Sequence, residues 1–322
     1  MRRREVIAGL VSSAWPVVAG AQQPRSPRRI GVLNPESASL APLPAFLEEL
    51  RSLGWRDREN VFIDIRSAEG RYELVRQLAD ELVRSRPDLV YTLGPDATLA
   101  AAAATKSVPI VAIDLESDPI ATGLVENLAR PGRNVTGLFL DLPELAGKWL
   151  ELLGETVPQL THVGVLGTAR INKAQFGAIE KAAATARYQL RQLNIDDVRD
   201  LEGAFETAAQ ERVQGVVVLP SPLVLDNRTR IASLALQRGL PTVFLFAQAA
   251  EAGGLIAYGP SVNDMSRRAA RLAMKVLTGV PPSELPIERP TQFELVINMN
   301  TARMLGLKVP GHLQQLADMV IE

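Results

Sequence analysis

The strongest constraint on the fold of this chain is a pattern that runs its course and then starts again: short apolar runs alternating with amphipathic segments. Ile30-Gly31-Val32-Leu33 is the first run; it stops at Asn34-Pro35, and an amphipathic segment over 44–53 follows and closes at Gly54. An apolar run bounded by turn residues and followed by helical spacing reads as a buried strand leading into a helix. The same reading predicts strands over 61–65, 89–93 and 109–113, with helices over 72–84 and 96–105. The alternation then restarts, with strands over 163–166, 189–193, 216–219 and 242–246 and helices over 148–156, 174–186, 201–212 and 227–237. Val216-Val217-Val218-Leu219 has no polar residue, as expected of a parallel strand covered on both faces. Two such runs predict an α/β protein of two doubly wound parallel-sheet lobes. At 322 residues the chain exceeds what one core usually serves, and 47% hydrophobic residues can fill two.

The end of the chain returns to this pattern. A strand over 255–258 follows Gly253-Gly254, a helix over 263–277 follows that, and after a proline-rich passage over 281–286 comes a strand over 293–297. Late returns imply several crossings between the lobes, and such joints hinge. The expected division places 29–141 with 254–280 in the first lobe and 142–253 with 281–322 in the second. Arg267, Arg268, Arg271 and Lys275 give the late helix a basic face, read as solvated surface.

The first residues give an address. Arg2, Arg3 and Arg4 precede an apolar run over 6–18, and Ala19-Gly20-Ala21 has the small-residue pattern of a cleavage site. This reads as an export signal cleaved after Ala21, followed by a leader over 22–28. The apolar run is shorter than the roughly 20 residues that span a bilayer. Its adjacent arginines resemble a twin-arginine signal, and the Sec route stays open. Removing residues 1–21 moves the formal charge from −1 to −3, which gives no basis for a nucleic-acid partner. The sequence has no cysteine, so it offers no disulfide, thiol nucleophile or lipidation site. The expectation is therefore a periplasmic protein without a lipid anchor. His162 and His312 lack two-ligand spacing, so neither a metal site nor a cofactor is expected.

Catalytic patterns are missing. There is no G-x-S-x-G, no phosphate-binding G-x-x-x-x-G-K-[ST], no H-E-x-x-H, and no G-x-G-x-x-G after the first strand. Glu48-Glu49 and Asp196-Asp197 are adjacent pairs whose side chains diverge, and they read as surface charge. What recurs is a polar turn at the carboxyl end of a strand. Asn34-Pro35-Glu36-Ser37, Gly94-Pro95-Asp96-Ala97, Ser117-Asp118-Pro119, Thr168-Ala169-Arg170 with Asn172, and Pro220-Ser221-Pro222 all have this form. Singly, such residues are apt to be helix caps. Brought together across a cleft they make a ligand site, because open parallel sheets bind ligands beyond the carboxyl ends of their strands.

Longer stretches carry a resemblance. LARPGRNVTG (128–137), GGLIAYG (253–259) and LPIERPTQFELVINMNTARMLGL (285–307), together with LRSLGWRDRENVFIDIR, ADELVRSRPDLV and VPIVAIDLESDPIATGLVENL, resemble a family of periplasmic substrate-binding proteins of ABC transporters. The resemblance covers 29–322. It implies the type I, LacI-like fold of two Rossmann-like lobes joined by a multi-crossing hinge, in a family that includes members binding tryptophan, other amino acids or aromatic acids. Arg133 departs from the pattern, where a second glycine is commoner, and is expected to cost a turn its left-handed glycine. The resemblance further implies capture of a small molecule between closing lobes and delivery to an ABC permease in the inner membrane, with no enzymatic activity. Carried over position by position, Asn34 and Ser37 fall in the first cleft loop, Gly94 and Asp96 in the third, and Asp118 at the next strand end. Asp141 falls near the crossing, Asn172 and Ser221 in the second lobe, and Phe246 and Gln248 at the return crossing.

Helix N-termini with Ser, Asn and Gln, rather than clustered Lys and Arg, suit a zwitterion or monocarboxylate, so the expected ligand is amino-acid-like or an aromatic carboxylate. Asp96, Asp118 or Asp141 could pair an ammonium group, and Phe246 could supply apolar area. Two other classes remain: a ligand-sensing module serving a membrane receptor, and an exported α/β enzyme, which the missing motifs disfavour. A repressor is disfavoured because an export signal, not a helix-turn-helix, precedes the first strand. Monomer is the default state, since lobe closure must stay free.

Overall fold

The computed structural model describes residues 27–36, 43–114, 116–140, 142–169 and 172–322. The export segment with its cleavage point, Ser37 and Asp141 lie outside the described residues.

The first lobe is built as the alternation requires: β1 (Arg28–Asn34), α1 (Leu43–Ser52), β2 (Val61–Ser67), α2 (Val75–Arg84), β3 (Leu89–Leu93), α3 (Gly94–Ala104), β4 (Ile110–Asp114) and β5 (Val135–Phe139). Its five strands lie in the order β2-β1-β3-β4-β5, all parallel. Alternate strand residues feed opposite layers. Ile30, Val32, Tyr91 and Val111 pack with Phe46 and Leu50 of α1, while Leu33, Val90, Ile110 and Ala112 pack with Ala79 and Leu82 of α2 and Ala97 and Ala101 of α3. Tyr91 stacks on Phe46 at 4.1 Å between ring centroids.

The second lobe contains α4 (Ala146–Thr156), β6 (His162–Gly167), α5 (Lys173–Ala186), β7 (Gln189–Asn194), α6 (Asp200–Gln210), β8 (Gly215–Val218), α7 (Pro222–Asp226), α8 (Arg228–Gln237), β9 (Thr242–Phe244), α9 (Ala247–Glu251) and β10 (Ile256–Pro260). After α10 (Val262–Leu277) come β11 (Phe293–Asn298), α11 (Met299–Met304), α12 (Gly311–Leu316) and β12 (Met319–Ile321). The sheet order is β12-β11-β10-β9-β8-β6-β7, with β10 and β11 antiparallel and every other pair parallel. Trp149 of α4 is almost wholly buried against this sheet, and its indole N–H donates to the carbonyl of Tyr258 at 2.8 Å.

The late crossings fall elsewhere than the pattern suggests. β10 pairs with β9 and β11, so residues 254–260 belong with the second lobe. α10 packs its apolar face, from Met265 to Leu277, into the core of the first. Residues 282–288 stay on the first lobe: Leu285 and Ile287 enter its cores, and Glu288 bridges to Leu138. The crossings therefore lie after β5, at Ser261, and between Glu288 and β11. An apolar run announces a strand but not which sheet edge receives it. Leu140 and Phe246 pack against the cores of both lobes, which marks them as hinge residues.

The basic face of α10 is not merely solvated. The Arg268 guanidinium donates to Glu288 at 2.6 Å and to the Arg289 carbonyl at 3.0 Å, and Arg271 pairs with Glu49 of α1 at 2.7 Å. β5 is a strand that the sequence pattern conceals, because Gly137 interrupts it. Gly137 has φ 150°, and a Cβ there would stand 2.1 Å from the Ala112 carbonyl oxygen of β4, so only glycine fits. Arg133 costs its turn no glycine, since the left-handed position is Gly132 at φ 71°.

Candidate ligand cleft between the lobes

In both sheets the strand order reverses once, between β1 and β3 and between β6 and β8. The loops at the carboxyl ends of these strands face one another across the molecule, and the crevice beside such reversals is where doubly wound folds place ligands. A cavity of about 570 Å³ occupies it, lined from the first lobe by Asn34, Glu36, Leu93, Gly94, Ile113 and Glu116, with Pro44. Leu225, Arg228, Phe246, Gln248 and Glu251 line it from the second lobe, and Val262, Asn263 and Met265 from the start of α10. Phe246 and Gln248 lie between β9 and β10 of one sheet, and so not at the return crossing where the sequence places them.

Asn34, Gly94, Phe246 and Gln248 thus come together in one cavity. Asn34 also shapes its loop, donating from its side chain to the Glu36 carbonyl at 3.0 Å. Gly94 opens α3 at φ 80°. Asp96 sits half-buried in the first turn of α3, behind the cavity and close enough to disfavour ionisation of Glu116. Asp118 is exposed and outside the lining; its carboxylate accepts from the backbone N–H groups of Ile120 and Ala121 and so caps its own turn.

Asn172 and Ser221 lie at the second lobe's reversal, but their polar atoms are used there. Asn172 is fully buried, accepts from the Thr168 N–H at 2.9 Å and donates to the Pro220 carbonyl at 2.8 Å, so it welds the two loops together. Ser221 Oγ accepts from the Val224 N–H as the N-cap of α7. It borders a small recess, shared with Arg228 and Phe246, beside the main cavity.

Of the four charged residues that line the cavity, Glu251 is exposed while Glu36, Glu116 and Arg228 are part-buried, and residue type alone does not select these three. Glu36 follows β1 within the Asn34-Pro35-Glu36-Ser37 turn, and burial pushes its carboxyl up to about 8, with Asp226 adding to the rise and Arg228 opposing it. Glu116 follows β4; burial, then Asp114, Glu36 and Asp96, hold its carboxyl well above the usual carboxylate range, and its Oε2 has no hydrogen-bond partner. Asp114 beneath it accepts from the N–H groups of Glu116 and Ser117 at 3.1 and 3.0 Å and from the Ser117 hydroxyl, fixing the loop. Arg228 is the first residue of α8, where a cation opposes the helix dipole. One of its N–H groups holds the Leu225 carbonyl at 2.8 Å, and Nε is buried without a partner. A cation set against its own helix is the signal by which sequence could have found this residue.

The lobes meet around the cavity. Gln175 of α5 donates to the Glu116 carbonyl at 3.3 Å, and Asp226 Oδ2 lies 3.3 Å from where a Cβ on Gly70 would stand. The arrangement can hold a carboxylate at Arg228 and a cation at Glu36 and Glu116 against apolar walls. Among the described residues no group of three or more His, Asp or Glu could hold a metal ion.

A sequence profile of the family described as ABC transporter substrate binding protein matches residues 36–321. The chain belongs to this family. Within the substrate-binding proteins it is 25% identical over 267 residues to a tyrosine-binding protein of Clostridioides difficile strain R20291, covering 82% of this chain and 76% of that one. It superposes with a TM-score of 0.85, at 25% identity, on an ABC domain in complex with L-Trp from Streptococcus pneumonia, covering 92% of this chain and 100% of that one. With the ligand-free, open structure of a substrate-binding protein with adhesive properties from Clostridium difficile the TM-score is 0.70, at 23% identity, covering 91% and 99%. The two lobes, the parallel sheets and the inter-lobe cleft are those of type I periplasmic binding proteins.

Proposed function

We propose that this protein is the solute-binding component of an ABC importer, capturing an α-amino acid between its lobes and delivering it to an inner-membrane permease. The observation that carries this reading is the presence of Arg228, Glu36 and Glu116 in one inter-lobe cavity whose other walls are largely apolar. Arg228 matches an α-carboxylate, and the two acids match an ammonium group. An aromatic acid without an amino group would leave both acids unanswered, so the amino acid is the better fit. The tyrosine-binding relative and the L-Trp complex support the same class. The basic, apolar, A-x-A opening of the sequence supports a periplasmic location, the lack of cysteine supports an unanchored protein, and free lobe closure suits a monomer.

A thermal-shift screen of amino acids, aromatic acids, sugars and nucleosides tests the reading. A ligand at a hundred times its Kd stabilises by about 2.7 kcal/mol, so amino acids are expected to raise the Tm. Stabilisation by a sugar or a nucleoside but by no amino acid would contradict it.

A further inference from the structure

The cavity holds more acid than an amino-acid zwitterion neutralises. Glu36, Glu116 and Glu251 line it, and Arg228 is the single cation lining it among the described residues. Behind them stand Asp226 near Glu36, and Asp96 and Asp114 near Glu116, with no lysine among the groups that act on either acid. If Arg228 takes the α-carboxylate and one acid takes the α-ammonium, the other is left buried and unmatched, a costly arrangement for a carboxylate. Glu116 is where this shows: its Oε2 is enclosed, faces no donor, and sits at the cavity lining. Gln248, also in the lining, has a buried Oε1 with no donor, a second acceptor awaiting an N–H group. Between these polar groups lie Leu93, Ile113, Phe246 and Met265, apolar area suited to a methylene stem.

Resting on the amino-acid reading, we infer that the preferred substrates are amino acids with a second cationic group on the side chain, of net charge +1, with Glu36 and Glu116 dividing the two cations between them. The raised carboxyls of both residues, chiefly an effect of burial, are the counterpart of this surplus: a cation placed against them displaces the protons that burial makes them hold.

The test is calorimetric titration of ligand-stripped protein with L-arginine, L-lysine, L-leucine, L-tryptophan and L-glutamate. L-arginine or L-lysine is expected to bind at least about ten-fold more tightly than either neutral amino acid, and L-glutamate most weakly. In Glu116→Gln, an isosteric change, affinity for basic amino acids is expected to fall by more than affinity for neutral ones, so that this preference collapses; an undiminished preference would overturn the inference. Neutral amino acids binding as tightly as basic ones in the unaltered protein would overturn the inference and leave the amino-acid reading standing. Binding by none of the five would overturn both.

Discussion

The side-chain amide of Gln175 in the second lobe donates to the backbone carbonyl of Glu116 in the first, at 3.3 Å. Gln175 is 2% exposed, held in the first turns of α5, so the bond ties a rigid helix of one lobe to the loop that carries an acid of the cavity. Closing the lobes and placing Glu116 are therefore one event. Gln175→Ala removes a neutral hydrogen bond worth about 0.5–1.5 kcal/mol and is expected to weaken ligand binding about three- to ten-fold. Calorimetry reads the affinity, and solution scattering of the ligand-free variant should show a more open average shape.

Arg228 supplies the cation for a ligand carboxylate. Arg228→Met should weaken binding by about 100-fold, the scale of a lost charge-assisted hydrogen bond. Arg228→Lys keeps the charge but not the planar fork, and its loss should fall between the two. Equal affinity in all three forms would place the carboxylate elsewhere.

Burial of Glu36 makes the stability of the fold pH-dependent. Its carboxyl titrates at about 8 in the fold, chiefly through burial, against an ordinary value of 4.5. Below 4.5 the group is protonated in the folded and unfolded chain alike. Between 4.5 and about 8 the unfolded chain releases a proton that the fold retains, so stability falls as pH rises and levels off above about 8. Asp114, raised by burial to about 6, adds to the lower part of this window. The Tm of ligand-free protein should decline with pH across it, and Glu36→Gln should flatten the upper part. An amino acid needs the ionised acid, so its affinity should rise over the same interval, with proton release visible in buffers of differing ionisation enthalpy.

Gly137 sets the spacing of β4 and β5. With a Cβ only 2.1 Å from the Ala112 carbonyl oxygen and φ at 150°, Gly137→Ala should destabilise the first lobe by more than about 3 kcal/mol. Chemical denaturation would show this. An unchanged midpoint would mean that β4 can move aside.

The parts of the fold that sequence reveals are those whose burial leaves a periodic mark. β3, β4 and β8 lie buried on both faces, and their largely apolar runs announce them. β5 is equally buried but carries Gly137 for a contact with a strand distant in sequence, so its local pattern is weak. The sheet that β10 joins is likewise decided by a free edge that no local pattern encodes. In the cleft, composition identifies the loops but not which member of each turn faces inward. Asn172 and Ser221 have the composition of ligand-holding turn residues, yet Asn172 spends its amide joining its loop to that of Pro220, and Ser221 caps its own helix. Glu36 and Glu116 sit in or beside the same kind of turn with their carboxyls at the cavity.

The most direct measurement is mass spectrometry of whatever small molecule is released when protein purified without added ligand is denatured. An α-amino acid released in near-stoichiometric amount is the expected result. A released sugar, nucleoside or carboxylic acid lacking an amino group would contradict the pairing of Arg228 with Glu36 and Glu116 on which the account rests.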